Sequence, residues 1–436
     1  MALKNKKSLL DSTWEKLDAD FSIIDTIKEK GHFIISAEQI KKVREPRLVT
    51  KFDHSINLPQ LFKKHHISIM PISRSQYILS NHDMFCKIGM FPKDVELRTI
   101  PGYLESINRD SISSEPVALN CSYITGMLSD FIGDENMVPT VEGRMSTHSF
   151  SFNIFNNSKS SFDPVKVDNS QIEIDGAFEG TNFLTLVEAK QNIATDFLIR
   201  QLYYPFRLWH DKIQKDIRLV YFVYSNSIFT FFEYSFDDPK NYNSLSLIKS
   251  KSYALEDTNI NIETIQNILE TTTIVAEPEI PFPQADDFRK VINLCELCYV
   301  NDLTKESIAT EYEFNIRQSD YYTNACRYLG LMNKFSPRTK NPYFKLSEDG
   351  IKMLKMSFID RQIFLIKKIV EHKVFNEALR MSFEIHSSPT NKMIEPLLKE
   401  HETYRVGSKI EDATTFKRRA SSVRGWINWI LSIINE

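Results

Sequence analysis

The chain has little cysteine, no long apolar run and no surplus of positive charge, and each shortage excludes something. Five cysteines (Cys86, Cys121, Cys295, Cys298 and Cys326) are few, odd in number and scattered through 436 residues. That argues against a disulfide framework and fits a reducing cytoplasm. No stretch approaches the roughly 18 apolar residues of a membrane span, and the basic start MALKNKKSLLDS lacks the apolar segment of a signal peptide. The expectation is a cytoplasmic protein that does not cross a membrane. A formal net charge of −3 does not advertise nucleic-acid binding, so any basic surface must be local.

What is present is an ordinary globular composition, 42% hydrophobic and 12% aromatic, sufficient for two to four domains. Residues 1–112 read as an α/β module. Trp14, Leu17, Phe21 and Ile24 share a helical face, with Ser12 and Glu15 as a capping box and Gly31 as the stop. A second helix starts at Ser36, with Gln39 three residues on. It runs into Arg44, Arg47 and Lys51 around Pro46, which is either a solvated basic turn or a phosphate contact beside a DNA site.

Residues 113–273 read as the next unit. Ser114, Glu115 and Pro116 open a helix, and Phe150, Phe152 and Ile154 alternate with polar residues in a half-buried strand. The organising stretch is Gln171 to Gln201. In IEID, Glu173 and Asp175 point away from Ile172 and Ile174; in LTLVEAK, Glu188 and Lys190 share a face with Leu184 and Leu186. Paired as a hairpin, these strands let Asp175 and Glu188 share a divalent cation, and carboxylate oxygens suit Mg²⁺. Without a cation, two buried carboxylates repel each other. Lys190 can then hold an attacking water or neutralise charge growing on a phosphate. The competing acidic-x-Lys matches, Asp238 to Lys240 and Glu371 to Lys373, lie in a loop and a helix. A helix from about Ile193 to Trp209 follows, then a hairpin turning at Asn226 and Ser227.

Pro278, Pro281 and Pro283 mark 274–287 as a stiff linker. In 288–358, helices at 288–300, 304–312 and 315–329 precede a hairpin with a basic tip, the order of a winged helix. Its third helix carries Arg317, Gln318, Ser319, Tyr322, Asn324 and Arg327 as candidate base contacts, and Lys334, Arg338 and Lys340 are candidate phosphate contacts in the wing. Many such modules bind protein instead. Cys295 and Cys298 form a CxxC inside an apolar helix, a context for core packing rather than metal. Residues 359–436 are helical again, a second winged helix or a buttress for the first.

EIDG followed by VEAK resembles the PD-(D/E)XK nuclease superfamily, and the flanking order looks like a Type II restriction endonuclease over about residues 115–236. The resemblance implies an α/β fold, a restriction-endonuclease-like mixed sheet flanked by helices, here between an N-terminal α/β module and a C-terminal winged-helix region. It implies Asp175 and Glu188 as metal ligands, Lys190 as catalytic, Mg²⁺ as cofactor, and sequence-specific cleavage of double-stranded DNA to 5′-phosphate and 3′-hydroxyl ends. Ile174 stands where the family usually has proline. Similar nucleases use a Gln or Arg where Arg200 and Gln201 lie to steady the site or touch phosphate. Arg144 either contacts DNA near the cut or forms a structural salt bridge. One site per chain makes a homodimer the simplest route to cutting both strands, and a cognate DNA methyltransferase is the implied companion. The alternatives are a modification-dependent nuclease that reads methylated bases and a non-catalytic winged-helix DNA-binding regulator.

Overall fold

Apolar residues gather into distinct cores, and which segment feeds which core sets the architecture. The computed structural model describes residues 8–107, 112–311, 316–337, 341–401 and 413–434. The N-terminal core closes by residue 80. Helix α1 (Leu9–Phe21) is capped by Ser8, whose hydroxyl accepts from the Asp11 amide, one turn before the Ser12 expected from sequence. It buries Trp14, whose indole N–H donates to the Val49 carbonyl at 2.9 Å. Helix α2 (Ile23–Lys30) stops at Gly31, strand β1 (His32–Ser36) follows, and α3 (Ala37–Lys41) starts at Ser36 with the expected Gln39 capping box. Helix α4 (Gln60–His65) and strands β2 (Ser68–Pro71) and β3 (Gln76–Ser80) complete an antiparallel sheet of order β1-β3-β2.

The following residues belong elsewhere. Strand β4 (Phe85–Lys87) pairs with a later strand of the central region, and β5 (Val95–Leu97) forms one edge of its sheet, so the boundary expected at 112 falls near 80. Helices α5 (Glu115–Ile124) and α6 (Met127–Ile132) then precede β6 (Val138–Ser146), the hairpin β7 (Phe150–Asn156) and β8 (Ser161–Val167), and the pair β9 (Gln171–Glu179) and β10 (Phe183–Lys190). Strand β11 (Asp196–Leu198) pairs with β4, which delays helix α7 to Arg200–His210 instead of the expected start at Ile193. Strands β12 (Asp216–Ser225), β13 (Ile228–Phe236) and β14 (Leu245–Ala254) complete an open, mostly antiparallel sheet of order β5-β14-β13-β12-β10-β9-β6. The pair β10 and β12 is parallel, because α7 carries the chain back across the sheet between them. Asn226 and Ser227, both left-handed, make the tight turn from β12 to β13 as expected.

Residues 255–273, assigned above to the central unit, feed the C-terminal core instead. Helix α8 (Ile262–Thr271) buries Ile265, Ile268 and Leu269 there. The proline segment is extended and strapped to the same core: Phe282 stacks on Phe375, and the Ala285 carbonyl accepts from the Trp426 indole at 2.6 Å. Helix α9 (Phe288–Val300), β15 (Leu303–Thr304), α10 (Lys305–Glu311), α11 (Ile316–Tyr328), β16 (Met332–Phe335) and β17 (Tyr343–Leu346) follow, with sheet order β15-β17-β16. Five helices come last: α12 (Glu348–Leu354), α13 (Phe358–Val370), α14 (Lys373–Glu384), α15 (Asn391–Glu400) and α16 (Ala413–Ser432). They share one core with α9 and α11 and, among the described residues, have no second wing; the buttress alternative fits. Cys295, Cys298 and Cys326 are buried in that core, with the Cys295 and Cys326 sulfurs 3.8 Å apart. Burial pushes the Cys298 thiol up to about 12. Among the described residues no helix is long and apolar enough to cross a membrane.

Candidate active site

The turn between β9 and β10 is fixed from outside the hairpin. Asp134, buried behind α6, accepts from the Asn182 amide at 3.1 Å and the Phe183 amide at 2.9 Å. Burial opposes its charge, but these N–H donors hold its carboxyl below the usual range. Gly180 is required beside it, since a Cβ there would collide with the Asp134 carboxylate.

From this anchored end the two strands pair as far as Gly176 opposite Val187, and then part. On its other side β9 matches Ala177 to Val141 and Ile174 to Gly143, so Asp175 and Gly176 stand against Glu142 alone, two residues against one, and carry a bulge. The bulge turns the Asp175 carboxylate toward β10, where Oδ2 accepts from the Ala189 amide at 2.8 Å. Gly176 lets α5 lie close, because a Cβ there would stand 2.7 Å from the Leu119 side chain. Helix α5 in turn starts at Glu115, whose Oε1 accepts from the Gln191 amide at 3.2 Å.

Glu188 and Lys190 share a face as expected, with Lys190 Nζ 2.5 Å from Glu188 Oε1. Gln201, in the first turn of α7, donates through Nε2 to the same oxygen at 2.5 Å. Glu188 is 8% exposed. Its carboxyl is pushed up to about 7, first by burial, which Lys190 counters and Asp175 reinforces. Burial disfavours the Lys190 ammonium too, yet Glu188, Tyr221, Asp53 and Glu115 hold it well above the ordinary lysine range. The two shifts differ in origin: burial dominates at Glu188, whereas the surrounding negative groups together dominate at Lys190 and keep its ammonium charged.

Two members of this cluster were missed from sequence. Glu115 was read only as part of a helix start; burial raises its carboxyl, with Lys190 lowering it and Asp175 raising it. Asp53 comes from the N-terminal module. Its carbonyl accepts from the Leu198 amide at 2.9 Å, and the next residues clamp β11: His54 Nδ1 stands 2.5 Å from the Asp196 carbonyl, and the Ser55 amide donates to the Asp196 carboxylate at 3.0 Å. An acidic residue at the head of the preceding helix was a legible signal for Glu115. Asp53 had none, because its contact spans more than a hundred residues.

Asp175 and Glu188 offer carboxylate oxygens that could hold a cation beside the Lys190 ammonium, with Asp53 and Glu115 within electrostatic reach, and Asp53 Oδ1 and Gln201 Oε1 are buried without a hydrogen-bond partner.

The expected nucleic-acid contacts are placed less uniformly. Arg144 pairs with Glu173 at 3.3 Å on the exposed surface, the salt-bridge alternative. Arg200 lies over the Tyr204 ring, 5.5 Å from its centroid, while Gln201 is in the cluster. On α11, Ser319 and Tyr322 are corrected: they are 0% and 5% exposed and belong to the face that packs inward, so they cannot reach a base edge. Asn324 and Arg327 are half-buried on the other face, and Arg327 donates to Asn324 at 2.9 Å; Gln318, also half-buried, lies one turn before Tyr322 on its side of the helix. The Arg317 side chain, Arg338 and Lys340 lie outside the described residues.

Three families match the chain, each described as a domain of unknown function: DUF6996 over residues 11–79, DUF6997 over 80–254 and DUF7226 over 290–435. No curated protein and no solved structure matches it.

Proposed function

We propose that the chain is a Mg²⁺-dependent double-stranded DNA endonuclease of restriction type with a PD-(D/E)XK core. The observation that carries the reading is the convergence of Asp175, Glu188 and Lys190 where β9 and β10 part, with Gln201 on the shared Glu188 oxygen. The strand order supports it: β6, β9 and β10 run antiparallel, and β12 returns parallel to β10 through α7. The C-terminal order α9, β15, α10, α11, β16, β17 supports the winged-helix reading, with Asn324 and Arg327 on the face left for DNA.

Asp175 and Glu188 would hold Mg²⁺, with Glu115 and Asp53 within electrostatic reach. The ion would supply a water of lowered pKa and offset the charge of the scissile phosphate. Lys190 would hold the attacking water in line and stabilise charge on the phosphate oxygens. Gln201 would keep Glu188 in the orientation that the cation needs. Attack at phosphorus breaks the bond to the 3′-oxygen, which takes up a proton and leaves 5′-phosphate and 3′-hydroxyl ends. A homodimer would cut both strands, and a companion methyltransferase would protect host DNA.

The test is a digest of plasmid and phage DNA, methylated and unmethylated, with Mg²⁺. Discrete fragments from the parent and none from Lys190→Ala support the reading. Cutting of methylated DNA alone would reassign the enzyme as modification-dependent. DNA binding with no cutting under any metal would leave a regulator built on an inert core.

A further inference from the structure

The run VINLCELCYV in α9 is apolar except for two residues that face the central sheet. Asn293 is 5% exposed and lies between the buried Ile292 and Leu294, so its amide needs partners. It finds them across the boundary between the two regions. Its Nδ2 donates to the Gln191 carbonyl at 2.6 Å and to Ser225 Oγ at 3.2 Å, and its Oδ1 accepts from the Ile193 amide at 3.3 Å. One turn on, Glu296 accepts from Ser225 Oγ and from the Asn226 amide, both at 2.7 Å.

Gln191 directly follows Lys190, and its amide holds Glu115. The strand end bearing the lysine is therefore tied on one side to a carboxylate of the site and on the other to α9. The next residue, Asn192, contacts His54 of the N-terminal module at 3.4 Å. Beside this junction lies a cleft of about 470 Å³, lined by Gln191, Glu296, Leu297 and Arg361 among others.

We infer that Asn293 is a positioning residue: it sets the Gln191–Ile193 segment, and with it Lys190 and Glu115, from the helical region, so that cleavage depends on where that region sits. The inference rests on the nuclease reading for its consequence, though not for its geometry. Removing the amide leaves the Gln191 carbonyl and the Ile193 amide buried without their partner, and the segment relaxes away from its position.

The experiment compares Asn293→Ala, Asn293→Asp and Gln362→Ala in the full chain. Gln362 donates to Asn226 at 3.1 Å in the same interface without touching Gln191, so its variant reports on loosened docking alone. Asn293→Asp keeps the volume and the acceptor for Ile193 and loses the donor to Gln191, but sets a second carboxylate beside Glu296, which Nδ2 meets at 3.1 Å in the parent, so melting of each variant is measured first and the exchange at 191–193 is read in whichever folds. Single-turnover cleavage of plasmid DNA should slow by about tenfold to a hundredfold in both Asn293 variants, while the Kd for labelled duplex in Ca²⁺ stays within about twofold. Gln362→Ala should change neither. Backbone amide exchange at residues 191–193 should accelerate in the Asn293 variants alone. Equal losses of rate and affinity in all three variants, or unchanged exchange at 191–193, would overturn the inference. If the parent cuts no DNA, the nuclease reading fails by itself, and the exchange measurement still decides whether Asn293 holds the segment.

Discussion

Gln201 and Lys190 meet on one atom: each places a nitrogen 2.5 Å from Glu188 Oε1, one from the start of α7 and the other from the end of β10. A helix and a strand thereby fix a carboxylate that burial alone would neutralise. The arrangement divides labour between a charged donor and a neutral one, and the two should fail differently.

Lys190→Ala should lower cleavage by at least about 10² to 10³-fold and leave duplex binding in Ca²⁺ nearly intact, because the ammonium acts where charge develops. Gln201→Ala should lose less, on the order of tenfold, mainly as weaker Mg²⁺ affinity, because it only orients Glu188. Mg²⁺ titrations of the single-turnover rate separate the two. An equal loss in both variants at saturating Mg²⁺ would contradict this division.

The Glu188 carboxyl, raised to about 7 by burial, would give the proposed cation binding a pH dependence of definite sign. Below that value the site must release a proton to take a cation, so affinity should rise with pH up to about 7 and flatten above it, by at most about tenfold per unit. Calorimetry with Mg²⁺ or Mn²⁺ at pH 7 in two buffers of different ionisation enthalpy should register proton release that fades by about pH 9. In Glu188→Gln the release should disappear together with most of the affinity.

The site was legible in part, and the boundary is physical. Alternation along β10 was enough to put Glu188 beside Lys190, since a strand leaves no other choice. The place of Asp175 depends on a bulge over Asp175 and Gly176, and simple alternation cannot foresee an inserted residue. Asp53 is brought in by a contact between Asp53 and Leu198, beyond the reach of any local pattern. On α11 the polar lettering of Ser319 and Tyr322 suggested a wet face. Yet the Ser319 carbonyl takes the Thr323 hydroxyl, and the Tyr322 ring lies in the core. Residues 255–273 were assigned to the wrong region because the period of α8 reveals an apolar face and not which core will receive it.

That reversal on α11 is itself testable. Tyr322→Ala should destabilise the helical region by about 3 kcal/mol, a large-to-small change in a core, and lower its melting temperature by several degrees. Arg327→Ala should leave melting nearly unchanged and weaken duplex binding by about 1 to 3 kcal/mol if it reads a base. A Tyr322 variant that melts normally but binds poorly would return Tyr322 to the DNA face.

The N-terminal module offers the last prediction. Lys41, Lys42, Arg47 and Lys51 are exposed along the segment that leads from α3 into the active-site wall at Asp53. Lys51 stands 3.7 Å from the Asp53 carboxylate and lowers the Glu115 carboxyl, which places it at the rim of the cluster. The segment is rigid for a surface loop, since the Ser36 capping box, Pro46 at a 3-10 turn and the Trp14 bond to Val49 all hold it. A row of cations ending at the proposed nuclease site would suit a phosphate backbone, and such contacts carry affinity without sequence. Replacing Lys42, Arg47 and Lys51 together by alanine should reduce the slope of log K against log salt by roughly one per lost contact, with the same loss on every duplex sequence. Fluorescence anisotropy with two unrelated duplexes across a salt series measures both. An unchanged slope would leave the segment a solvated turn, and a loss confined to one duplex would make it a reader of sequence rather than a guide for the backbone.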